Sequence, residues 1–173
     1  MSEAIFTIGY STRSMDAFIE LLKAHDVKIV IDIRTIPKSR HCPDYNKEEL
    51  KLFLKKAKIG YRHIKELGGL RHTSKDSINT GWTNPSFRGF ADYMQTPAFQ
   101  VGLEKLEKIA KTKRCVLMCA EGNPWRCHRS LIADALTIKK YKVFHVQSKK
   151  SAKAHQLTSF LQIKNGQLVY PSS

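Results

Sequence analysis

Short apolar runs alternate along this chain with stretches whose apolar residues recur at helical spacing, and that alternation most restricts the folds open to it. Ala4-Ile-Phe-Thr-Ile8 reads as a strand stopped by Gly9. Ser14 is placed to cap a helix with Phe18, Leu21, Leu22 and His25 on one stripe. Lys28-Ile-Val-Ile-Asp-Ile33 predicts a second, central strand. A helix over 47–58 follows, with Leu50, Phe53, Leu54 and Ala57 as its apolar face, and Tyr61-Arg-His-Ile64 predicts a short strand. Helices around 87–94 and 98–110 precede a strand at Cys115, and a helix from about 128 to 140 leads into a strand over Lys142–Val146. The tail from His155 reads as a helix or as a hairpin around Asn165-Gly166. The expectation is an α/β fold: a mostly parallel sheet with helices on both faces, in a Rossmann-like three-layer arrangement.

At 173 residues and 42% hydrophobic, the chain is expected to form one domain over 1–173. Within it, a long polar loop is expected at about 68–86 and a C-terminal extension from about 148, since no Gly/Ser-rich linker divides the chain. No run approaches the roughly 18 apolar residues of a membrane span. Met1-Ser-Glu-Ala lacks the basic start and apolar core of a signal peptide, so the expectation is a cytoplasmic protein with no membrane partner. Thirty Lys and Arg against fifteen Asp and Glu give a formal charge of +15, which favours an anionic small molecule or nucleic acid as partner. The basic residues cluster at 47–65, 105–114 and 139–153, where many would equally serve as solvated helix faces.

The segment Cys115-Val-Leu-Met-Cys-Ala-Glu-Gly-Asn-Pro-Trp-Arg-Cys-His-Arg129 carries most of the chemistry. An apolar strand breaks at Gly122-Asn123-Pro124, and His128, Leu131, Ile132, Ala135 and Leu136 then recur at helical spacing. A helix start favours an anion, and Arg126 and Arg129 add full charges there. The alternative is that Arg129 pairs with Glu121 or Asp32 as a structural bridge.

Two other turns are expected at the same sheet edge. Gly9-Tyr10-Ser11 offers close backbone approach and hydroxyl donors, or simply a Gly turn with a capping hydroxyl. In Asp32-Ile-Arg34-Thr-Ile-Pro37-Lys-Ser39-Arg40, the period of two puts Asp32 and Arg34 on one side. Arg34 then presents a planar donor fork suited to phosphate or carboxylate, unless Asp32 neutralises it. The loop at 68–86 contains Arg71, His72, Lys75 and Trp82. It reads either as a lid that holds phosphate and stacks a base, or as a solvated excursion with Trp82 folded into the core edge.

Four cysteines in a chain this long do not make a disulfide framework. Cys115 and Cys119 share one strand face roughly 13 Å apart, too far to bridge. Cys115 is expected to be a packing group. Cys119, Cys127 and His128 match no standard zinc spacing, and a fourth ligand would have to come from Cys42, His41 or Glu121; no metal is assigned.

Thr7-Ile-Gly-Tyr-Ser11, Asp32-x-Arg34-x-x-Pro37-x-Ser39, Leu67-Gly-Gly69 and Cys119-Ala-Glu121 with Cys127-His-Arg129 resemble the domain of unknown function 488 family, over about residues 4 to 147. The resemblance implies an α/β fold and a shared polar site at Tyr10, Ser11, Asp32, Arg34, Glu121, Cys127, His128 and Arg129. It implies no reaction and names no cofactor.

From the residues, the expected function is an enzyme, a hydrolase or transferase, acting on a nucleotide or nucleic acid through an anion-binding crevice. Glu121 or Asp32 would serve as general base or nucleophile, with Gly9, Tyr10, Ser11, Arg34, Ser39, Arg126, His128 and Arg129 binding the ligand. The alternatives are a non-catalytic nucleic-acid or nucleotide binding module, and a thiol- or metal-dependent enzyme using Cys119, Cys127 and His128. Against a thiol phosphatase loop of the form Cys-x5-Arg, position 125 holds Trp and Arg126 comes one place late. No Walker loop, Gly-x-Gly-x-x-Gly or His-Glu-x-x-His occurs.

Overall fold

A computed structural model describes residues 4–172. Strands β1 (Ala4–Gly9), β2 (Ile29–Asp32), β3 (Gly60–His63), β4 (Cys115–Cys119), β5 (Lys142–Ser148) and β6 (Ser151–Ala154) form one sheet in the order β3-β2-β4-β1-β5-β6. All pairings are parallel except β5 with β6. The helices are α1 (Met15–Ala24), α2 (Lys47–Lys56), α3 (Pro85–Tyr93), α4 (Pro97–Ala110) and α5 (Arg129–Ile138).

Strand periodicity divides the core into two layers. Phe6, Ile8, Val30, Val116 and Met118 cluster with Met15, Phe18, Leu21 and Leu22 of α1 and with Leu50 and Leu54 of α2. The alternate residues Ile5, Ile29, Ile31, Cys115, Leu117 and Cys119 cluster with the apolar sides of α3, α4 and α5. This assignment follows from the handedness of the crossovers. From β1 through β2 to β3 the chain steps one way across the sheet, and from β3 through β4 to β5 it steps back. Right-handed connections therefore place α1 and α2 on one face and α3, α4 and α5 on the other. The result is the expected three-layer α/β architecture.

Because the chain leaves the neighbouring strands β1 and β4 toward opposite faces, a crevice opens at their carboxyl ends. Gly9 lies opposite Cys119 in register. Beyond it, Tyr10 N donates to Cys119 O and Ser11 N to Ala120 O, while Ile33 N donates to Met118 O. The turns after β1, β2 and β4 thus stand side by side.

The predicted helix start at Ser14 is present, its Oγ accepting from Ala17 N at 3.2 Å. Such a cap contributes about 1 kcal/mol. The tail forms a hairpin, β7 (Gln162–Lys164) with β8 (Gln167–Val169), turned through Asn165 and Gly166, both at positive φ. Strand β6 is not foreshadowed by alternation in Ser151-Ala-Lys-Ala; backbone pairing to β5 alone defines it.

Buried Asp134 of α5 fastens this tail. Its carboxylate accepts from His155 Nε2 (2.8 Å), Thr158 N (3.1 Å), Thr158 Oγ1 (2.7 Å) and Tyr170 OH (2.8 Å). Tyr170 N in turn donates to Asn79 Oδ1 at 2.9 Å, and Gly81 N donates to Tyr170 O at 2.8 Å. Trp82 packs against Phe87, Phe160 and Tyr170. The segment read as a lid or an excursion is therefore pinned to the tail, and Trp82 belongs to the core edge.

His155 continues the chain of bonds to His145, Nδ1 to Nε2 at 2.8 Å, and His145 Nδ1 faces Thr7 Oγ1. Burial, aided by the neighbouring His155, pushes the His145 imidazole down to about 3. His145 is thus neutral in the fold, while the unfolded chain gains a proton below about 6.5. Stability is accordingly lost as pH falls from about 6.5 toward 3, on the order of a few kcal/mol in total. Urea midpoints measured across this window should drop, and His145→Gln should flatten the slope.

Candidate functional site

At the carboxyl edge, a cavity of about 280 Å³ is lined by Arg34 and Thr35 after β2, by Cys119, Ala120 and Glu121 after β4, and by Arg126, Cys127 and His128 before α5. Gly69, Leu70, Ser86 and Phe87 complete its wall. The sequence-predicted residues Arg34, Glu121, Arg126 and His128 therefore meet here. Gly9, Tyr10, Ser11, Asp32, Ser39 and Arg129 are not part of the lining.

Asp32 is fully buried and saturated. Its carboxylate accepts from Arg34 N (3.1 Å), Arg34 Nε (2.9 Å), Arg34 Nη2 (2.7 Å) and Tyr61 OH (2.6 Å). Burial, followed by the negative charge of Asp32, raises the Tyr61 phenol above its ordinary value, so that it remains a donor. Arg34 is fixed from one side by this fork and from the other by Tyr10, whose hydroxyl lies 3.4 Å from Nη1. Tyr10 is held in turn by its stack on Tyr45, with ring centroids 4.0 Å apart. Asp32 and Tyr10 orient Arg34 toward the cavity.

Glu121 is exposed on the cavity wall, with Oε2 accepting from Asn123 N at 3.0 Å. Arg126 also lines the cavity, is exposed, and makes no ion pair or side-chain hydrogen bond among the described residues. Ser39 lies away from the cavity; its Oγ accepts from Cys42 N and its N–H donates to Asn46 Oδ1, which shapes the loop before α2. Ser11, at φ 51°, turns the chain beside Gly122.

Arg129 departs from both sequence readings. It is 1% exposed, and its guanidinium bonds neither Glu121 nor Asp32 through their carboxylates. Nη1 donates to Glu121 O and to Cys119 Sγ (2.8 Å), and Nη2 donates to Gly122 O (3.0 Å). The cation shapes the 119–122 turn from beneath. No spacing rule could have shown this, because two of the three partners are backbone carbonyls.

His128 Nε2 lies 2.9 Å from both Ile33 O and Leu67 O. Two acceptors require a proton on Nε2, and burial keeps the imidazole below its ordinary value, so Nδ1 carries a lone pair. Nδ1 stands 3.5 Å from Cys127 Sγ, where it can accept the proton of that thiol. Gly69 is confined against this ring: a Cβ there would stand 2.6 Å from Nδ1. Cys115, by contrast, is buried among apolar groups and its thiol is pushed up to about 12, as suits a packing residue. Among the described residues, no three His, Cys, Asp or Glu side chains are grouped to hold a metal ion.

The wall residues Thr35, Leu70, Ser86 and Phe87 went unnoticed in the sequence. Leu70, Ser86 and Phe87 come from the loop pinned by the tail and from the start of α3, where Asn84 Oδ1 caps Ser86 N and Phe87 N. Only Gly69 was foreshadowed, through Leu67-Gly-Gly69.

No significant match to a curated protein or to a solved structure was found. A family model described as Domain of unknown function DUF488 matches residues 14–136, a narrower span than the motifs suggested, leaving Gly9, Tyr10 and Ser11 outside it. The match covers well over half of the chain and takes in Asp32, Arg34, Glu121 and the 126–129 turn, and the chain therefore belongs to the DUF488 family.

Proposed function

We propose that this protein is an enzyme that acts on a small phosphate-bearing ligand of the nucleotide class, bound in the crevice after β2 and β4. The reading is carried by one observation: Arg34, pre-oriented by Asp32, and Arg126, free of any partner among the described residues, line the same cavity. The Arg34 fork is held by Asp32, so its edge and the Arg126 guanidinium, unpaired among the described residues, together offer positive charge and donors to a phosphate in this cavity. Glu121, on the same wall with one oxygen engaged only by a backbone N–H, is the group placed to move a proton. Asp32, with its lone pairs occupied, acts through Arg34. A volume of about 280 Å³ suits a phosphate and its sugar rather than a duplex, so nucleic acid would enter only as a strand end. On the far side of the 122–126 turn, Trp125 is 44% exposed beside Arg13 and Lys153, offering a surface on which a base could stack.

The test is equilibrium binding of mononucleotides and short single strands at two salt concentrations, followed by turnover assays. Arg126→Ala should weaken binding by roughly tenfold or more, the loss expected for a charge-assisted contact. Glu121→Gln should bind but not convert the ligand. Unchanged affinity in Arg126→Ala would sink the reading, and binding without any turnover by the native chain would make the protein a binding module.

A further inference from the structure

Cys119 ends β4 and Cys127 directly precedes the cap residue of α5, and both face the cavity. Their Sγ atoms lie 2.8 Å apart as free thiols. Two thiolates this close would repel, so no more than one of the pair ionises. Arg129 supplies the compensating positive charge. Its Nη1 stands 2.8 Å from Cys119 Sγ, and its backbone N–H, at the positive end of α5, points to Cys127 Sγ at 3.5 Å. The two sulfurs are thereby made unequal. Burial opposes ionisation of Cys127, but the Cys119 thiol, the Arg129 guanidinium and the Arg129 N–H together draw it below the ordinary range. Burial and its negative neighbour push Cys119 well up. The arrangement therefore sets a more readily ionised thiol in contact with a second one that keeps its proton, which is what two-step disulfide exchange requires.

We propose that Cys119 and Cys127 form a redox-active dithiol that reduces small, carboxylate-bearing disulfides admitted to the crevice. The carboxylate preference comes from Arg34 and Arg126, which line the same cavity. Cys127 thiolate attacks one sulfur of the disulfide RSSR, breaking its S–S bond; RS⁻ leaves and a mixed disulfide remains on Cys127. The proton of Cys119 passes to the departing thiolate, and Cys119 sulfur attacks Cys127 Sγ, expelling the second RS⁻. The two protein sulfurs give up two electrons, the external disulfide accepts them, and the products are a Cys119–Cys127 disulfide, RSH and RS⁻. A dithiol reductant resets the pair. This activity shares the cations of the crevice with the nucleotide reading but needs none of its ligand.

The experiment uses the full chain carrying Cys42→Ser, because the half-buried Cys42 thiol would react on its own account. The reduced protein is mixed without denaturant with 5,5′-dithiobis(2-nitrobenzoate), a dicarboxylate disulfide that reports each released thiol. Thionitrobenzoate release matching both sulfurs, an intact mass reduced by the two lost hydrogens with no adduct, and a Cys119–Cys127 link in the peptide map are expected. Cys119→Ser should stop at a stable adduct on Cys127. Cys127→Ser should slow the reaction by roughly tenfold or more. A persistent adduct on the Cys42→Ser chain, a link through Cys115, or no reaction of the folded chain would overturn the proposal. The Cys42→Ser peptide map decides even if the other variants fail to fold. Nucleotide binding lost in Arg126→Ala while the dithiol still closes would separate this activity from the phosphate site.

Discussion

Gly9→Ala should strongly destabilise this protein although it adds a single methyl group. Gly9 ends β1 opposite Cys119, and a Cβ built there would overlap the Glu121 carbonyl and come within 2.7 Å of Arg129 Nη1. Neither neighbour has room to retreat. The Glu121 carbonyl accepts from Arg129, and Arg129 is buried beneath the turn with further bonds to Cys119 Sγ and Gly122 O. Overpacking in a core costs about 1–3 kcal/mol when flexible side chains absorb it. Here backbone must move, so the expected cost exceeds about 3 kcal/mol, with the melting temperature falling by roughly 10 °C. Thermal denaturation followed by circular dichroism measures it. A loss of only a degree or two would mean that the 119–122 turn is far looser than its hydrogen bonds indicate.

Asp32→Ala is expected to cost about 3–5 kcal/mol, the range for breaking one side of a buried ion pair. Arg34, at 7% exposure, would lose its acceptors at Nε and Nη2 and remain a charge with no anion beside it, and the Tyr61 hydroxyl would also lose its acceptor. Asp32→Asn should cost less, since it keeps the shape and one acceptor oxygen, but it should still misdirect Arg34. Because Arg34 lines the cavity, an external anion can substitute for the missing carboxylate. Added phosphate should recover part of the lost stability in Asp32→Ala and give a smaller rise in the parent. A variant as stable as the parent, with unaltered phosphate response, would show that the pair is a bystander.

The fold was legible because it rests on periodicities of two and of 3.6, which side chains such as Ile29, Ile31, Leu21 and Leu22 display directly. The same reasoning placed the turns after β1, β2 and β4 at one edge, and Arg34, Glu121, Arg126 and His128 do share one cavity. What a guanidinium or hydroxyl binds is not periodic. Arg129 seeks carbonyl oxygens two to three positions beyond β4, and Ser39 caps its own loop; neither preference is written in residue spacing. The partners of Asp134 lie 21 to 36 positions away, and Asn79 meets Tyr170 across 91, separations that only the finished topology supplies. The contact of Cys119 with Cys127 forms only when the turn between them closes, with Arg129 Nη1 reaching Cys119 Sγ from beneath.

The fastening of Asp134 bears on the order in which the molecule can be completed. A nascent chain that has reached only the end of β5 contains every parallel strand of the sheet, yet it lacks His155, Thr158 and Tyr170, so the carboxylate on α5 has no donors for its buried seat. An unsolvated, unpartnered carboxylate is costly enough to keep α5 from docking fully against the strands. The loop at 79–81, which waits for Tyr170, stays equally unsecured. During synthesis, the wall of the crevice therefore closes only after residue 170 has been made, although the family-matched core ends at 136.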